Sequence, residues 1–362
     1  MAFSQEKNRN YFDKRTVFQE QDLSVEYRTE TGMVFGRPAI IQGRKRKRTQ
    51  QLPLRKRSRM LWSEARDWIH CLQGGDKRFF YFRDRYALML LGRAAGSGMS
   101  VARLRRSPYG KLLSRPLVKE LLARKGGGRL SAPDLASVWP PRPLCYTMSF
   151  GIWGYDWSDE RSWAQTSRAG CNLGLLLAFT NEHDTPYREL IPNHGDEPFK
   201  VSAHPYVSGK NTMAWARVDL AGDLSEALIE EVQSDWFRMV DIFRRRTANR
   251  KDAEGRAALE RLDRYIEAVL APHRETWQEA MLAAAVDFLF REVGVSSVYY
   301  HTWEGGLVMK NMRGRAKPPR SLYTALPRRF CFQRTKTAPQ FMQQAMRENR
   351  INEPVEFFVL RA

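Results

Sequence analysis

The sequence predicts an α+β or α/β protein, with a basic helical N-terminal unit followed by a mixed-sheet α/β domain. Three observations predict it. Apolar residues recur at helical spacing from Leu61. Beyond the Pro-rich stretch Trp139–Pro143 the texture changes to strands, beginning with CYTMSF and NLGLLLAF. Further on, ALIEEVQ, a long amphipathic helix and VSSVYYHT run strand, helix, strand. The 362 residues, 43% of them hydrophobic, suffice for two domains or one large one. The expected division is an extended arm over 1–60, a helical unit over 61–139, and an α/β domain over 144–362 with a helical insertion at 236–271.

The arm is polar and mixed until Arg44, Lys45, Arg46, Lys47 and Arg48, followed by Arg55, Lys56, Arg57 and Arg59 with no acid between. Such a block repels itself and stays extended until it meets phosphates. The whole chain carries 60 Lys and Arg against 40 Asp and Glu, a net charge of +20. That imbalance points to a polyanionic partner, DNA or RNA, and makes nucleic acid the expected contact of these nine residues. The same cluster has the composition of a nuclear localisation signal.

In the helical unit, Leu61, Ala65, Trp68, Ile69 and Leu72 share one face, and Gly74-Gly75 stops the run. A second helix is expected over Phe79–Ala95, ending at Gly96. Ser100 caps VARLRR, Pro116 opens LVKELLARK, and Ser131 or Asp134 starts a last short helix. With Arg103, Arg105, Arg106, Lys111 and Arg115, these short helices have the makings of a helix-turn-helix, so the unit is expected to share in nucleic-acid binding.

In the α/β domain, NLGLLLAF is apolar throughout and reads as a buried strand, and NEHDTP as a turn. MAWARVDL and ALIEEVQ form a hairpin around Ala221-Gly222-Asp223. Trp236–Leu270 reads as exposed helices broken at Gly255, and Glu275–Val293 as the main helix, ended by Gly294. KNMRGRAKPPR is a basic loop, SLYTALPRRF a short helix carrying Tyr323, and CFQRT and VEFFVL the last strands. There is no internal repeat.

Cys71, Cys145, Cys171 and Cys331 lie far apart with no CxxC pair, which argues against a disulfide framework or a zinc finger. The start, MAFSQEKNRNYFDKR, is not a secretory signal, and no stretch approaches the ~18 apolar residues of a membrane span. The expectation is a cytoplasmic protein, nuclear in a eukaryote, without a membrane partner. Composition leaves the oligomeric state open.

The chemistry-bearing stretch is EEVQSD. Two carboxylates, an amide and a hydroxyl at the end of an apolar strand need a ligand, a metal or internal hydrogen bonds. One reading is metal-dependent phosphodiester chemistry, with Asp219 before the hairpin and Glu231 on the return strand sharing Mg²⁺. In that reading Gln233 stands where a Lys would assist the attacking water. Glu231, Gln233 and Asp235 line the expected catalytic site, with His301 and Tyr323 as neighbours. A transition metal on His183, Asp184, His194 and His204 has spacings unlike those of a zincin or finger. A scaffold without chemistry is the third possibility, with Ser234 or Asp235 acting as a helix cap.

The order ALIEEVQ, long helix, VSSVYYHT, short helix with Tyr323, then CFQ resembles the core of the GNAT acetyltransferases. The resemblance implies acyl transfer from acetyl-CoA. It also requires a glycine-rich phosphate turn at the start of the long helix, where this chain has Pro272-His273-Arg274-Glu275-Thr276. LIEEVQSDW is also similar to the EIQSDW motif in large polyvalent proteins of phages and conjugative elements, over residues ~213–332. That likeness implies a phage or mobile-element context and assigns no catalytic role.

Overall fold

The segment Phe79-Phe80-Tyr81, expected to open a helix, instead belongs to the edge strand of a large sheet. In the computed structural model this strand is β1 (Lys77–Tyr81), and its Phe79 and Tyr81 point into the core. The structure describes residues 60–362 apart from 73–76, 127, 155–164, 192–197, 202–203, 206–208 and 313–316. The arm residues Arg44–Arg48, Arg55–Arg57 and Arg59 lie outside the described residues.

The N-terminal half contributes α1 (Trp62–Leu72), α2 (Arg85–Ala95), α3 (Val101–Arg106), a 3-10 turn at Gly110–Ser114, α4 (Pro116–Lys125) and α5 (Ala132–Ala136). A two-stranded ladder, β2 (Met99–Ser100) with β3 (Arg129–Leu130), ties these helices together. Asp84, in the left-handed region at φ 63°, turns the chain from β1 into α2. The expected helix over 79–95 is therefore a strand, a tight turn and a helix.

β1 pairs antiparallel with β4 (Leu144–Trp153), which continues through β5 (Asn172–Ala178), β6 (Thr212–Leu220) and β7 (Glu226–Gln233). β7 then pairs parallel with β8 (Ser297–His301). β10 (Phe357–Arg361) lies beside β8, with β9 (Gln333–Thr335) at the far edge. The eight-stranded order is β1-β4-β5-β6-β7-β8-β10-β9, mixed, with β7-β8 as its parallel pair. Because β1 belongs to this sheet, Trp139–Pro143 is a connection inside one folded unit, not a boundary between two. β5 is buried at every position, as its unbroken apolar run predicts.

NEHDTP is not a turn but the start of α6 (Asn181–Leu190), which carries Pro186 in its interior. The connection from β7 to β8 runs through α7 (Asp235–Ala248), α8 (Ala253–Tyr265) and α9 (Ala271–Phe288). Two wide π-turns, Ile266–Leu270 and Leu289–Val293, extend α9 at either end. The first immediately precedes Pro272, which cannot supply a backbone N–H to the helical ladder. Gly294, at φ 81°, ends the run as its position in sequence predicts. Gly255 does not break a helix. It sits in the first turn of α8, where its N–H donates to the capping Asp252 Oδ1 at 2.6 Å. A Cβ there would lie 2.4 Å from Arg250 Cβ.

Residues Ala280–Val286 of α9 are all buried, and the helix lies across β5, β6 and β7. The opposite face of the sheet holds a smaller core of Leu228, Tyr299 and Phe357 under Met309 of α10 (Trp303–Met309) and Met342 of α12 (Gln340–Glu348). Between them in sequence, α11 (Ala325–Arg329) follows the 3-10 turn Arg320–Tyr323. No helix among the described residues is long and apolar enough to cross a membrane.

Candidate active site

The parallel pairing of β7 with β8 begins at Glu226↔Ser297 and ends at Ile229↔Tyr300. The next residue on each strand is Glu230 and His301, at the point where the strands part. A β-bulge sits at the same place. On the β6 side, Val218 pairs with Ile229 and Arg217 with Glu231, so Glu230 has no strand partner. Bulges re-aim side chains, and this one turns Glu230 toward His301.

The carboxylate of Glu230 is fully buried and fully engaged. Its Oε1 accepts from Ser167 N at 2.9 Å, and its Oε2 accepts from Ser167 Oγ at 2.7 Å. His301 Nε2 lies 3.1 Å from Oε2 and 2.7 Å from Ser167 Oγ. Lys310, just beyond α10, donates from Nζ to the Glu230 backbone carbonyl at 2.5 Å and lies 3.7 Å from Oε2. Burial alone would raise the carboxyl pKa. The hydrogen bond from His301, then the charges of Lys310 and Arg217, hold it well below the ordinary value. Burial lowers the pKa of His301, opposed by Glu230 and assisted by the two cations. The pair at neutral pH is thus a carboxylate and a neutral imidazole. With a carboxylate facing Nε2, that nitrogen carries the ring proton. Nδ1 then presents a bare lone pair, buried and without a hydrogen-bond partner.

Glu231, the next residue on β7, lies in the field of the same Lys310. Arg217, 1% exposed, donates to its Oε2 and stacks over Trp153 at 5.0 Å. Burial would raise the Glu231 pKa, and the charges of Arg217 and Lys310 lower it. Tyr300 and Tyr323 pack with ring centroids 5.7 Å apart, and Lys310 Nζ lies 5.9 Å from the Tyr323 ring. Both phenols have raised pKa values, from burial first and the Glu231 charge second, and so keep their protons. The Tyr300 hydroxyl has no hydrogen-bond partner. One buried region thus combines an unpartnered basic nitrogen, protonated phenols and two fixed cations.

Of the residues expected to form the site, Glu231, His301 and Tyr323 belong to this region. Gln233 and Asp235 belong to a neighbouring structural knot. Asp235 Oδ2 accepts from Trp215 Nε1 at 2.9 Å and meets His204 Nδ1 at 2.8 Å. Its Oδ1 accepts from Gln233 Nε2 at 2.9 Å and from Arg238 at 2.5 Å. Ser234 caps α7 by accepting from Phe237 N, and donates to Met213 O at 2.5 Å. Trp236 Nε1 donates to Tyr265 OH at 2.8 Å. The tail of the motif anchors the helix, and its acidic head builds the site.

Asp219 and Glu231, the expected Mg²⁺ pair, are each held by their own arginine. Arg168 binds both oxygens of Asp219, and Arg217 holds Glu231. His183 bonds to Asp184 and Tyr265, while His204 bonds to Asp235, so the two histidines serve different networks. His194 lies outside the described residues. No cluster of three or more metal-ligating side chains occurs among the described residues. The helix leaving β7 is α7, not the helix that starts near Pro272. Its first turn carries the Asp235 carboxylate in place of glycine, which does not fit the diphosphate of acetyl-CoA.

Sequence reasoning missed Ser167 and Lys310, and counted Glu230 in the polar stretch without placing it in the catalytic set. Ser167 and Lys310 lie far from the motif in sequence. Strand alternation assigns Glu230 and Glu231 to opposite faces, but only the bulge selects Glu230 to meet His301. No protein-family model matches the chain, and no curated protein or solved structure matches it either.

Proposed function

We propose that the folded unit is an acyl-transfer enzyme on a GNAT-like sheet, within a protein that binds nucleic acid. The observation that carries this reading is the unpartnered Nδ1 of His301, backed by Glu230 on Nε2 where the parallel strands β7 and β8 diverge. The strand order supports it: β7, a helical crossover, parallel β8, helix, then β9 and β10 with β10 inserted beside β8. His301 Nδ1 accepts the proton of an attacking amine or hydroxyl, and Glu230 stabilises the resulting imidazolium. Tyr323 keeps its proton for the departing group. Lys310 and Arg217 offset negative charge that develops on the acyl oxygen. The donor's phosphates, if it has any, bind away from the start of α7.

The basic arm and the net charge of +20 support nucleic acid as the partner. The EIQSDW likeness supports a phage or mobile-element setting. The four cysteines are free thiols, in keeping with a reducing cytosol.

The test is acyl transfer from a panel of thioesters and acyl esters to amine acceptors, followed as free thiol or alcohol. Wild-type protein should turn over, and Glu230→Gln should lose about 100-fold or more in rate. Absence of transfer from every donor, together with Mg²⁺-dependent cleavage of nucleic acid that stops in Glu231→Ala, would replace this reading with phosphodiester chemistry.

A further inference from the structure

We infer that the exposed face formed by α3, the 3-10 turn at Gly110–Ser114 and α4 docks on the phosphate backbone of a nucleic acid. This deepens the nucleic-acid part of the reading above and assigns it a folded surface distinct from the N-terminal arm. Residues 85–133 contain eleven Lys and Arg and a single acid, Glu120. Arg103, Arg105, Arg106 and Lys119 are exposed, and none has a carboxylate partner among the described residues. Lys111 donates to the carbonyl of Arg328 on α11, so exposed Arg328 adjoins this face.

Elsewhere in this chain several exposed arginines are matched by acids: on α7, Arg244 with Asp263 and Arg238 with Asp235, and between α7 and α8, Arg250 with Glu254. Arg274 of α9 likewise meets Asp241. On the α3–α4 face Arg115, Arg124 and Lys125 are paired with Asp84, Glu120 and Asp134, but the three arginines of α3 and Lys119 have no acid beside them among the described residues. The cations in the last turn of α3 suit its helix dipole, but that effect is confined to one terminus and does not reach Lys119. Unbalanced like charge destabilises the folded chain by self-repulsion, and a polyanion removes that cost.

The chemistry favours nucleic acid over an anionic membrane. Insertion at a bilayer surface needs large apolar residues beside the cations. Among the described residues the exposed large hydrophobics are Trp62 and Trp139, both outside α3 and α4. Flexible Lys and Arg side chains on short helices meet phosphates without reading bases, so the binding is sequence-independent.

The experiment uses the full chain and fluorescence anisotropy with a labelled short duplex and a labelled single strand, across a salt series. Three proteins are compared: wild type, Arg103→Gln/Arg105→Gln/Arg106→Gln, and a variant with Arg44–Arg48 changed to Gln. Each is first checked for an unchanged melting temperature. The α3 variant should bind roughly tenfold or more weakly at ~0.1 M salt, with a log–log salt slope shallower by about 2–3. Unchanged affinity and slope in the α3 variant, with binding lost in the Arg44–Arg48 variant, would overturn the assignment and leave the arm as the binder. Failure of wild type to bind either probe, with capture by phosphatidylserine vesicles instead, would overturn the nucleic-acid reading altogether.

Discussion

Arg168 grips Asp219 through two hydrogen bonds, Nε to Oδ2 at 2.6 Å and the terminal nitrogen to Oδ1 at 2.7 Å, with side chains 3% and 0% exposed. The same guanidinium donates to Leu220 O at 2.8 Å and covers the Phe341 ring. Asp219→Ala strands that charge in the core. Its unfolding free energy should fall by about 3–5 kcal/mol in urea titration. Asp263→Ala, which breaks an exposed pair with Arg244, should leave the same curve unmoved. Equal effects in the two variants would mean that the buried pair adds nothing beyond a surface contact.

Acid should weaken the fold earlier than its carboxylates alone predict. Burial lowers the pKa values of His183 and His301, and lowers that of His273 from 6.5 to about 3, with His183 as a second cause. The unfolded chain therefore takes up protons below about pH 6.5 that the folded chain refuses. Stability is whole above that value and declines as pH falls through the window down to the folded pKa. Each histidine contributes up to ~1.4 kcal/mol per pH unit there. Melting temperatures between about pH 7 and pH 5 should drop, and His273→Gln should flatten the slope. A flat profile in the wild type would contradict the buried neutral state.

Gly305 holds the N-terminal turn of α10 against the strand entering β10. A Cβ there would stand 2.6 Å from Glu356 O and 2.8 Å from Thr302 Oγ1, the capping atom of that helix. Gly305→Ala should cost roughly 1–3 kcal/mol. It should also disturb His301 and Lys310, which flank the helix. Thermal unfolding measures the first effect and the rate of acyl transfer the second. A variant as stable as wild type would show that the turn can shift freely.

Ser234→Ala removes the cap of α7 and the bond to Met213 O together. The expected loss is about 1–2 kcal/mol by chemical denaturation. If the motif's tail is structural, acyl transfer should be unaffected once the protein is folded. A large drop in rate without loss of stability would place Ser234 in the chemistry.

The strands of the main sheet were legible because each carries its own pattern: unbroken apolar residues in β5, a hairpin signal between β6 and β7, and aromatics in β8. The helix over 275–293 and its stop at Gly294 were equally plain. β1 was hidden because five strand residues run into an apolar helix with only Phe82-Arg83-Asp84 between them. α6 was hidden because Pro186 reads as a breaker. At the candidate site, the motif pointed to β7 and His301 was expected as a neighbour, but two effects escaped the sequence. The bulge at Glu230 is a property of pairing, not of composition. Ser167 and Lys310 reach the carboxylate only through tertiary structure.

The crossover from β7 to β8 sets when this site can exist. Glu230 and His301 are 71 residues apart along the chain, and Ser167 and His301 are 134 apart. Antiparallel neighbours such as β6 and β7 close through a tight hairpin and can zip locally. The parallel seam must wait until three helices have collapsed onto the sheet, because loop-closure entropy opposes distant contacts. A newly made chain should therefore pass through a stage with much of its sheet in place and the Glu230–His301 pair still apart. Any activity that depends on that pair would then emerge as one of the last events of maturation.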